Sequence, residues 1–247
     1  MTTAASIEIE NLVMMRGGKP VLHGIDMTIG RGEIVALVGA NGAGKSTTVM
    51  AIAGMLPVRS GRIAVNGRSL IDKPPETVRH AGVAVVPEGH RVLGDLTVLD
   101  NLKVAGTQHS RRELATEIER ALDLFPELKE RLSVQARALS GGQKQMVAMV
   151  QAFIAKPDFL LVDELSLGLA PFVVKRLAAT LVDVVAGGIG VLLIEQFTTL
   201  ALGISSRAYV LERGNIVFAG TSAELKSRPD ILHSAYLAAD KARAAER

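Results

Sequence analysis

The stretch Gly39-Ala40-Asn41-Gly42-Ala43-Gly44-Lys45-Ser46 follows the apolar, β-branched run Glu33–Val38 and precedes helix-forming residues that continue to Met55. It matches the pattern G-x-x-x-x-G-K-[ST] at every fixed position. A buried strand, a glycine-rich loop and a helix in this order let backbone N–H groups surround a phosphate at the positive end of the helix. The pattern therefore predicts a phosphate-binding loop in an α/β fold. The alternative to a phosphate-binding loop is a glycine-rich turn that binds no ligand.

The loop and the start of the following helix carry the expected contacts to a nucleotide. Lys45 is expected to reach the β- and γ-phosphates, and the Ser46 hydroxyl is expected to ligate Mg²⁺. Thr47 adds a hydroxyl near the α-phosphate. The other expected nucleotide-binding residues of this stretch are Gly39, Asn41, Gly42, Ala43 and Gly44. By itself the loop indicates ATP or GTP, with Mg²⁺.

A second apolar strand, predicted over Phe159–Val162, ends in the two acids Asp163 and Glu164. Ligands of open α/β sheets gather at the carboxyl ends of the strands. We therefore expect Asp163 to hold Mg²⁺ and Glu164 to act as general base on the attacking water. An ordinary strand end with two solvated acids is the alternative, and the presence of the phosphate loop favours the catalytic interpretation.

A third motif, Leu139-Ser140-Gly141-Gly142-Gln143, stands just before a predicted helix. A serine and two glycines at a helix N-terminus offer a second anion-binding surface. One nucleotide needs only one phosphate loop, so a second such surface suggests two chains that pair head to tail and close each other's site. Alone, the motif is better explained by a plain helix cap with Ser140 as the capping residue.

Composition limits the class of protein. The chain has 247 residues, of which 48% are hydrophobic and 3% aromatic, and it contains no cysteine. A disulfide scaffold and a thiolate metal site are thereby excluded. The net charge of +3 gives no reason to expect a nucleic-acid partner. No window reaches the roughly 18 apolar residues of a membrane span, and the N-terminus lacks the pattern of a signal peptide, so a soluble chain is expected.

Hydrophobic patterning predicts a mixed α/β chain with a helical insertion. The predicted strands are Ile7–Leu12, Val21–Ile29, Val83–Val86, Gly190–Ile194 and a hairpin of Tyr209–Glu212 with Asn215–Phe218, and a loop is predicted over Met14–Pro20. Asn66-Gly67 within Arg62–Leu70 predicts a further hairpin. Between Gly89 and Lys156 only helices are predicted, namely Leu96–Gly106, Arg111–Leu124 and Gln145–Ile154. The tail Ser234–Arg247 is also expected to be helical.

The three motifs occur in the order and spacing typical of ATP-binding cassette (ABC) transporter ATPases, and this resemblance covers nearly the whole chain. It implies a P-loop NTPase cassette of the α/β class, with a mixed central sheet, an antiparallel β subdomain and an inserted helical subdomain. The implied segments are 1–88 and 157–247 for the nucleotide-binding core and 89–156 for the helical subdomain. The resemblance also implies ATP hydrolysis in a sandwich dimer, in which Ser140, Gly141, Gly142 and Gln143 of one chain face the γ-phosphate held by the other.

Four further stretches resemble the branched-chain amino-acid uptake branch of that family. They are Val86–Gly89, Ser166–Pro171, Glu195-Gln196 and His233–Leu237. Glu88 stands where many members carry a glutamine that senses Mg²⁺ and the membrane domain, and Gln196 stands at the position of a histidine that contacts the γ-phosphate. The resemblance implies a second ATPase subunit, identical or related, two membrane permeases, a solute-binding protein that acts indirectly, and a peripheral location on the cytoplasmic face of the inner membrane.

Several positions depart from the family pattern. Arg16 lies near the position of an aromatic residue that stacks on adenine; a guanidinium can also stack on a base, and an exposed loop arginine is the alternative. Gln196 can donate a hydrogen bond but cannot take a charge, so hydrolysis is expected to persist. Leu165 replaces a proline, which predicts a looser geometry for Glu164. Gln151 replaces an arginine, so one salt bridge is expected to be missing.

Alternative functions remain open from the sequence alone. Within transporters they are uptake of urea or an amide and export of lipopolysaccharide, because the ATPase chain does not touch the transported solute. Outside transport they are a soluble ABC ATPase and a P-loop kinase. The first usually has two cassettes or a coiled-coil insertion, and the second would leave Leu139–Gln143 without a role.

Overall fold

A computed structural model describes residues 5–89 and 91–236. Within them the chain forms two sheets. The antiparallel sheet has the order β2-β1-β4-β5; its strands are β1 (Ser6–Arg16), β2 (Lys19–Gly30), β4 (Ser60–Val65) and β5 (Arg68–Ser69). Asn66 and Gly67 both adopt positive φ between β4 and β5, so the predicted hairpin is confirmed.

The second sheet is mixed and holds six strands in the order β10-β9-β3-β8-β7-β6. They are β3 (Ile34–Val38), β6 (Val83–Val86), β7 (Phe159–Asp163), β8 (Gly190–Glu195), β9 (Arg207–Glu212) and β10 (Asn215–Thr221). Only β10 runs antiparallel to its neighbour. Because β3, β7 and β8 are parallel and adjacent, their carboxyl ends meet at one edge, where Val38 pairs with Glu195 and Asp163 pairs with Ile194.

Helices fill the connections between the strands. They are α1 (Lys45–Ile52), α2 (Pro75–His80), α3 (Val98–Ala105), α4 (Arg111–Leu122), α5 (Gly141–Ile154), α6 (Pro171–Ala186), α7 (Thr198–Ile204) and α8 (Ser222–Lys226), with 3₁₀ turns at Pro126–Arg131 and Ala136–Ala138. A further helix, α9, covers residues 229–236. The connection between β6 and β7 is helical, as predicted, and in its described part β pairing is limited to the bridge between Thr97 and Gln135.

Two hydrophobic cores lie on the two faces of the central sheet. Consecutive strand residues point to opposite faces, so Val35 and Leu37 of β3 join the core beneath the antiparallel sheet. Ala36 and Val38 join the core that extends into α5 and the helical insertion. A strand buried on both faces carries a continuous apolar run rather than an alternation, which is the pattern at Glu33–Val38.

Some predicted element bounds were wrong. Most of the loop predicted over Met14–Pro20 is strand, and only Gly17-Gly18 forms the turn, with φ of 55° and 78°. The alternation continues there, because Met14 is fully buried and Met15 is 38% exposed, whereas the pair of glycines suggested a longer loop. Helix α5 starts at Gly141, four residues before the prediction. Of the helix predicted over Ser234–Arg247, residues 234–236 are helical and the remainder lies outside the described residues.

Candidate nucleotide-binding site

The predicted phosphate loop connects the end of β3 to the start of α1. Three of its glycines have positive φ, with 153° at Gly39, 85° at Gly42 and 114° at Gly44. A Cβ atom on Gly39 would lie 2.1 Å from the Leu211 carbonyl oxygen, so only glycine fits there. Gly44 is the N-cap of α1 and supplies no side-chain cap, which leaves the first N–H groups of the helix available to an anion.

Lys45 is almost completely buried in this loop, with 5% of its surface exposed. Its Nζ donates to the carbonyl oxygens of Gly39, at 2.7 Å, and Ala40, at 3.1 Å. Burial lowers the pKa of Lys45, while the nearby carboxylates, led by Glu164 and Asp163, raise it. A cation held by two neutral carbonyls among several acids is well placed to exchange them for phosphate oxygens.

Asp163 lies behind the loop at the end of β7. Its carboxylate hydrogen-bonds the Ser46 side chain, and burial raises its pKa, with the charge of Glu88 adding to the rise. Its Oδ1 is buried and has no hydrogen-bond partner within the described structure. An oxygen of this kind needs a cation or a donor, because leaving it unsatisfied is costly.

Glu164 follows directly and adopts a left-handed backbone conformation with φ of 53°. Its N–H donates to the Ile194 carbonyl at 2.9 Å, which ties it to the end of β8. Burial raises the pKa of the Glu164 carboxyl, as do the charges of Glu88, Asp163 and Glu195, while Lys45 lowers it. Leu165, where the resembling family has proline, is fully buried in the core, so the residue after Glu164 is anchored by packing.

A cleft of about 510 Å³ lies over the loop and joins residues from distant parts of the chain. Of the predicted site residues it is lined by Arg16, Asn41, Gly42, Gly44, Lys45, Ser46, Thr47, Glu88, Glu164 and Gln196, together with Val21 and Leu167. Arg16 and Glu88 are exposed and Gln196 is half-buried. Gly39, Ala43 and Asp163 are buried and are not among the residues that line the cleft. Four separate segments therefore converge on one anion-binding loop.

The motif around Ser140 does not line this cleft. Ser140 caps α5 in a reciprocal arrangement, in which its hydroxyl accepts from the Gln143 N–H at 3.3 Å and the Gln143 side chain accepts from the Ser140 N–H at 3.1 Å. Ser140 and Gly141 are exposed, whereas Gly142 is buried against Val173. Within one chain the motif is therefore a helix cap with an open N-terminal face.

Sequence reasoning assigned no role to two residues that touch the site. Glu195, the last residue of β8, is 1% exposed and accepts from the Ser166 N–H and hydroxyl, both at 2.9 Å. An acid that ends a fully apolar strand was a signal that could have found it, as for Asp163. Tyr236 donates its hydroxyl to the Gln196 carbonyl at 3.0 Å. No local pattern marks a tyrosine for such a contact.

The sequence model of one family, described as ABC transporter, matches residues 22–166. The match includes the phosphate loop, the Ser140 motif and the acids at the end of β7. The chain belongs to the ABC transporter family. It is an ATPase of that family, and this membership implies that it binds a nucleotide.

Two relatives and one solved structure illustrate this membership. The chain is 42% identical to the high-affinity branched-chain amino acid transport ATP-binding protein BraG of Pseudomonas aeruginosa over 216 residues, which is 87% of this chain and 92% of BraG. It is 37% identical to the probable branched-chain amino acid transport ATP-binding protein LivF of Archaeoglobus fulgidus, over 83% and 87% of the two chains. A structure titled as the ATP binding subunit of an ABC transporter superposes with a TM-score of 0.80 at 32% identity, over 92% and 94%.

These similarities confirm the predicted cassette fold, with its mixed sheet, antiparallel sheet and helical insertion. Among the helices of residues 5–89 and 91–236, none is long and apolar enough to cross a membrane.

Proposed function

We propose that this chain is the ATP-hydrolysing subunit of an importer for branched-chain or related amino acids, and that it acts through membrane permease partners from the cytoplasmic face of the membrane. The observation that carries the solute class is 42% identity to BraG over nearly the full length of both chains. The cleft supports the ATPase part of the proposal. It brings a phosphate loop, a buried lysine and an activated acid together.

In this proposal Lys45 and the N–H groups of the loop bind the β- and γ-phosphates, and Thr47 lies near the α-phosphate. Arg16 is exposed and lines the same cleft as Asn41 and Gly42, and in this proposal its guanidinium stacks on the adenine base. Gln196 donates its side-chain amide to the γ-phosphate. Leu167 and Val21 add apolar walls.

Mg²⁺ would be held by Ser46 and Asp163, with Glu88 nearby. The residues fit, because Asp163 has an unpartnered buried oxygen and hydrogen-bonds Ser46. Within the described residues, no group of three or more acidic, histidine or cysteine side chains could hold a metal. That suits Mg²⁺, which uses one or two carboxylates and completes its shell with phosphate oxygens and water. When bound, it neutralises charge that develops on the phosphates.

Glu164 acts as the general base in the same scheme. A carboxylate whose pKa is raised by burial and by neighbouring acids accepts a proton more readily than a solvated one. Its position beside the loop, fixed by the bond to Ile194 and the buried Leu165, holds the carboxylate where a water near the γ-phosphate can be oriented. The developing negative charge is then met by Lys45 and the helix dipole.

The open end of α5 completes the site of a second chain. Ser140 and Gly141 are exposed in one chain and do not line their own cleft. Leu167, Phe172 and Phe197, on the segments that follow Glu164 and Gln196, are also exposed, with Phe172 at 76%. A head-to-tail dimer would cover these apolar side chains and place Ser140–Gly142 of each chain on the other's γ-phosphate, with Gln143 holding the cap. Closure would move segment 89–156 against segments 1–88 and 157–247.

The permease partner has a candidate surface next to the cleft. A groove of about 320 Å³ is lined mostly by apolar side chains, among them the half-exposed Met55, and its lining also includes Arg79 and Arg91. Pro87 lines this groove and the adjacent Glu88 lines the ATP cleft. A cytoplasmic helix of a permease that fills the groove would contact Pro87, and the next residue, Glu88, lines the cleft that binds the nucleotide. Gln151, also in the lining, donates to the Asn101 carbonyl at 3.1 Å, so it has a partner of its own.

The catalytic part is tested with Glu164→Gln. The variant is expected to bind ATP, to lose at least about a hundredfold in kcat, and to form a stable dimer with ATP in light scattering. Glu119→Gln, at an exposed position on α4, is the matched control and is expected to retain wild-type turnover. Hydrolysis by Glu164→Gln at the wild-type rate would show that another group is the base.

The solute class is tested separately, by deleting the gene from its source cell and following uptake of radiolabelled leucine, valine and urea. We expect leucine and valine uptake to fall and to be restored by the wild-type gene but not by the Glu164→Gln gene. Loss of urea uptake with normal leucine uptake would reject the amino-acid assignment and leave the ATPase assignment intact.

A further inference from the structure

The Tyr236 side chain, at the end of the described chain, hydrogen-bonds the backbone of Gln196 and lies near the phosphate loop. The Tyr236 hydroxyl donates to the Gln196 backbone carbonyl at 3.0 Å. The Gly39 backbone N–H lies close enough to the same phenol oxygen to lower the pKa of Tyr236. The phenol thus hydrogen-bonds the segment that carries Gln196 and lies near the first residue of the phosphate loop, although these two segments are more than 150 positions apart in sequence.

The phenol is held in place by the packing of α9. Ala235 is 1% exposed and belongs to the larger core, and Ile231 and Leu232 of the same helix pack against that core. Tyr236 itself is half-buried. Burial raises the pKa of the Tyr236 phenol, and the contact with the Gly39 N–H lowers it, so the group stays protonated and able to donate at neutral pH. The Tyr236 hydroxyl donates the hydrogen bond to Gln196, and phenylalanine has no group that could replace it.

The Gly39 contact extends toward the catalytic lysine. The Gly39 N–H lies near the Tyr236 oxygen, and the Gly39 carbonyl accepts from Lys45 Nζ at 2.7 Å. A Cβ on Gly39 would collide with Leu211, so the backbone there has a single allowed path. Tyr236 therefore lies between the rigid start of the phosphate loop at Gly39 and the backbone of Gln196, to which it donates a hydrogen bond.

We propose that Tyr236 is a positioning residue for ATP hydrolysis, which fixes the backbone of Gln196 relative to the phosphate loop so that the Gln196 amide meets the γ-phosphate. This inference rests on the role proposed above for Gln196. A neutral amide binds the γ-phosphate with one directional hydrogen bond, so its effect depends strongly on where its backbone is held. The outer helix α9 thereby becomes part of the hydrolysis machinery without touching the nucleotide.

The central experiment replaces Tyr236 with phenylalanine in the full chain and measures kcat and the KM for ATP. Because the ring is kept, the protein is expected to fold, with a melting temperature close to that of the wild type. Loss of one positioning hydrogen bond is expected to lower kcat about three- to tenfold and to change the KM less than about twofold. Wild-type kcat, or a rise in KM with unchanged kcat, would overturn the proposal.

The chain offers a matched control, because it contains only two tyrosines. The Tyr209 hydroxyl also has two hydrogen-bond partners, the Thr28 N–H at 3.1 Å and Arg207 at 2.7 Å, but these connect β9 to β2. Tyr209→Phe is expected to keep wild-type kcat even if it lowers the melting temperature. An equal loss of kcat in Tyr209→Phe would mean that general loosening explains the effect, and would also reject the proposal.

Double substitution separates this inference from the proposed role of Gln196. Gln196→Ala alone is expected to lower kcat, and unchanged turnover in it would reject the role of Gln196 itself. If Gln196→Ala lowers kcat but Tyr236→Phe does not, only the Tyr236 inference fails. If Tyr236 acts through Gln196, adding Tyr236→Phe to Gln196→Ala causes little further loss. A full additional loss would show that Tyr236 acts by another route.

A spectroscopic measurement reports the contact directly. In protein labelled with 3-fluorotyrosine, two ¹⁹F resonances are expected, which the two phenylalanine variants assign. Addition of Mg-ATP to the Glu164→Gln protein is expected to shift the Tyr236 resonance and to leave the Tyr209 resonance in place. A Tyr236 resonance that does not respond to nucleotide would contradict the proposal.

Discussion

The Glu195 carboxylate accepts two hydrogen bonds from Ser166, one from the N–H to Oε1 and one from the hydroxyl to Oε2, both at 2.9 Å. Glu195 directly precedes Gln196, the proposed γ-phosphate contact, and Ser166 follows the proposed base Glu164 by two positions. The pair is buried and joins the ends of β7 and β8 behind the cleft. Burial raises the pKa of Glu195, and the bonds from Ser166 oppose that rise.

Ser166→Ala is expected to destabilise the protein in a pH-dependent manner. Without the hydroxyl, the folded-state pKa of Glu195 rises further above its unfolded value. A carboxyl whose pKa is higher in the folded than in the unfolded protein stabilises the fold below its unfolded pKa, where it is protonated in both states. That stabilisation is lost as pH rises through the pKa of the folded protein. Urea unfolding should therefore show a deficit of about 1–3 kcal/mol near pH 8 and a smaller one near pH 5, where Glu195 is more protonated. The exposed Ser133→Ala is the control; a deficit independent of pH would contradict the role given to Glu195.

The acids at the site are expected to make the nucleotide-free protein less stable at neutral pH. The pKa values of Asp163, Glu164 and Glu195 are all raised by burial. Each acid therefore binds a proton more tightly in the folded than in the unfolded chain, so stability falls as pH rises above the ordinary carboxyl range.

Glu164→Gln removes one of these charges. In EDTA without nucleotide, it is expected to melt higher than the wild type at pH 8, by about 2–4 °C for each kcal/mol gained in a chain of this size. The difference should shrink toward pH 5, and Glu119→Gln should match the wild type throughout. A Glu164→Gln protein that melts lower at pH 8 would show that this carboxylate stabilises the empty site.

Two glycines of the phosphate loop should respond differently to alanine. At Gly42, where φ is 85°, a Cβ meets nothing within 4 Å, so Gly42→Ala carries only the backbone cost, about 1–2 kcal/mol. At Gly39 the Cβ would lie 2.1 Å from a backbone oxygen of β9, so Gly39→Ala is expected to cost about 3 kcal/mol or more. Urea unfolding of the two variants measures the difference. Equal losses of unfolding free energy in the two variants would mean that the backbone of β9 can move to accommodate the added Cβ atom.

Local patterns predicted those parts of the site that lie within one segment. The phosphate loop was recognisable because glycines, lysine and serine at fixed spacing meet the needs of a phosphate at a helix N-terminus. Asp163 and Glu164 were predicted as site residues because they end an apolar strand, where ligands of such sheets gather, in a chain that also carries a phosphate loop. The predicted Met14–Pro20 loop was wrong because two glycines need only a two-residue turn when the flanking strands pair closely, as β1 and β2 do.

The sequence by itself determined the family and the fold class and predicted the phosphate-binding residues, because each depends on short-range spacing and on the period of buried side chains. Only the tertiary structure decided which distant residues share the cleft. Arg16 and Gln196 are 180 positions apart, yet both line it. The contact of Tyr236 with Gln196 and the burial of Glu195 against Ser166 likewise depend on how parallel strands and the final described helix are placed side by side. Such contacts leave no periodic signal along the chain, because the partners meet only after the sheet has formed.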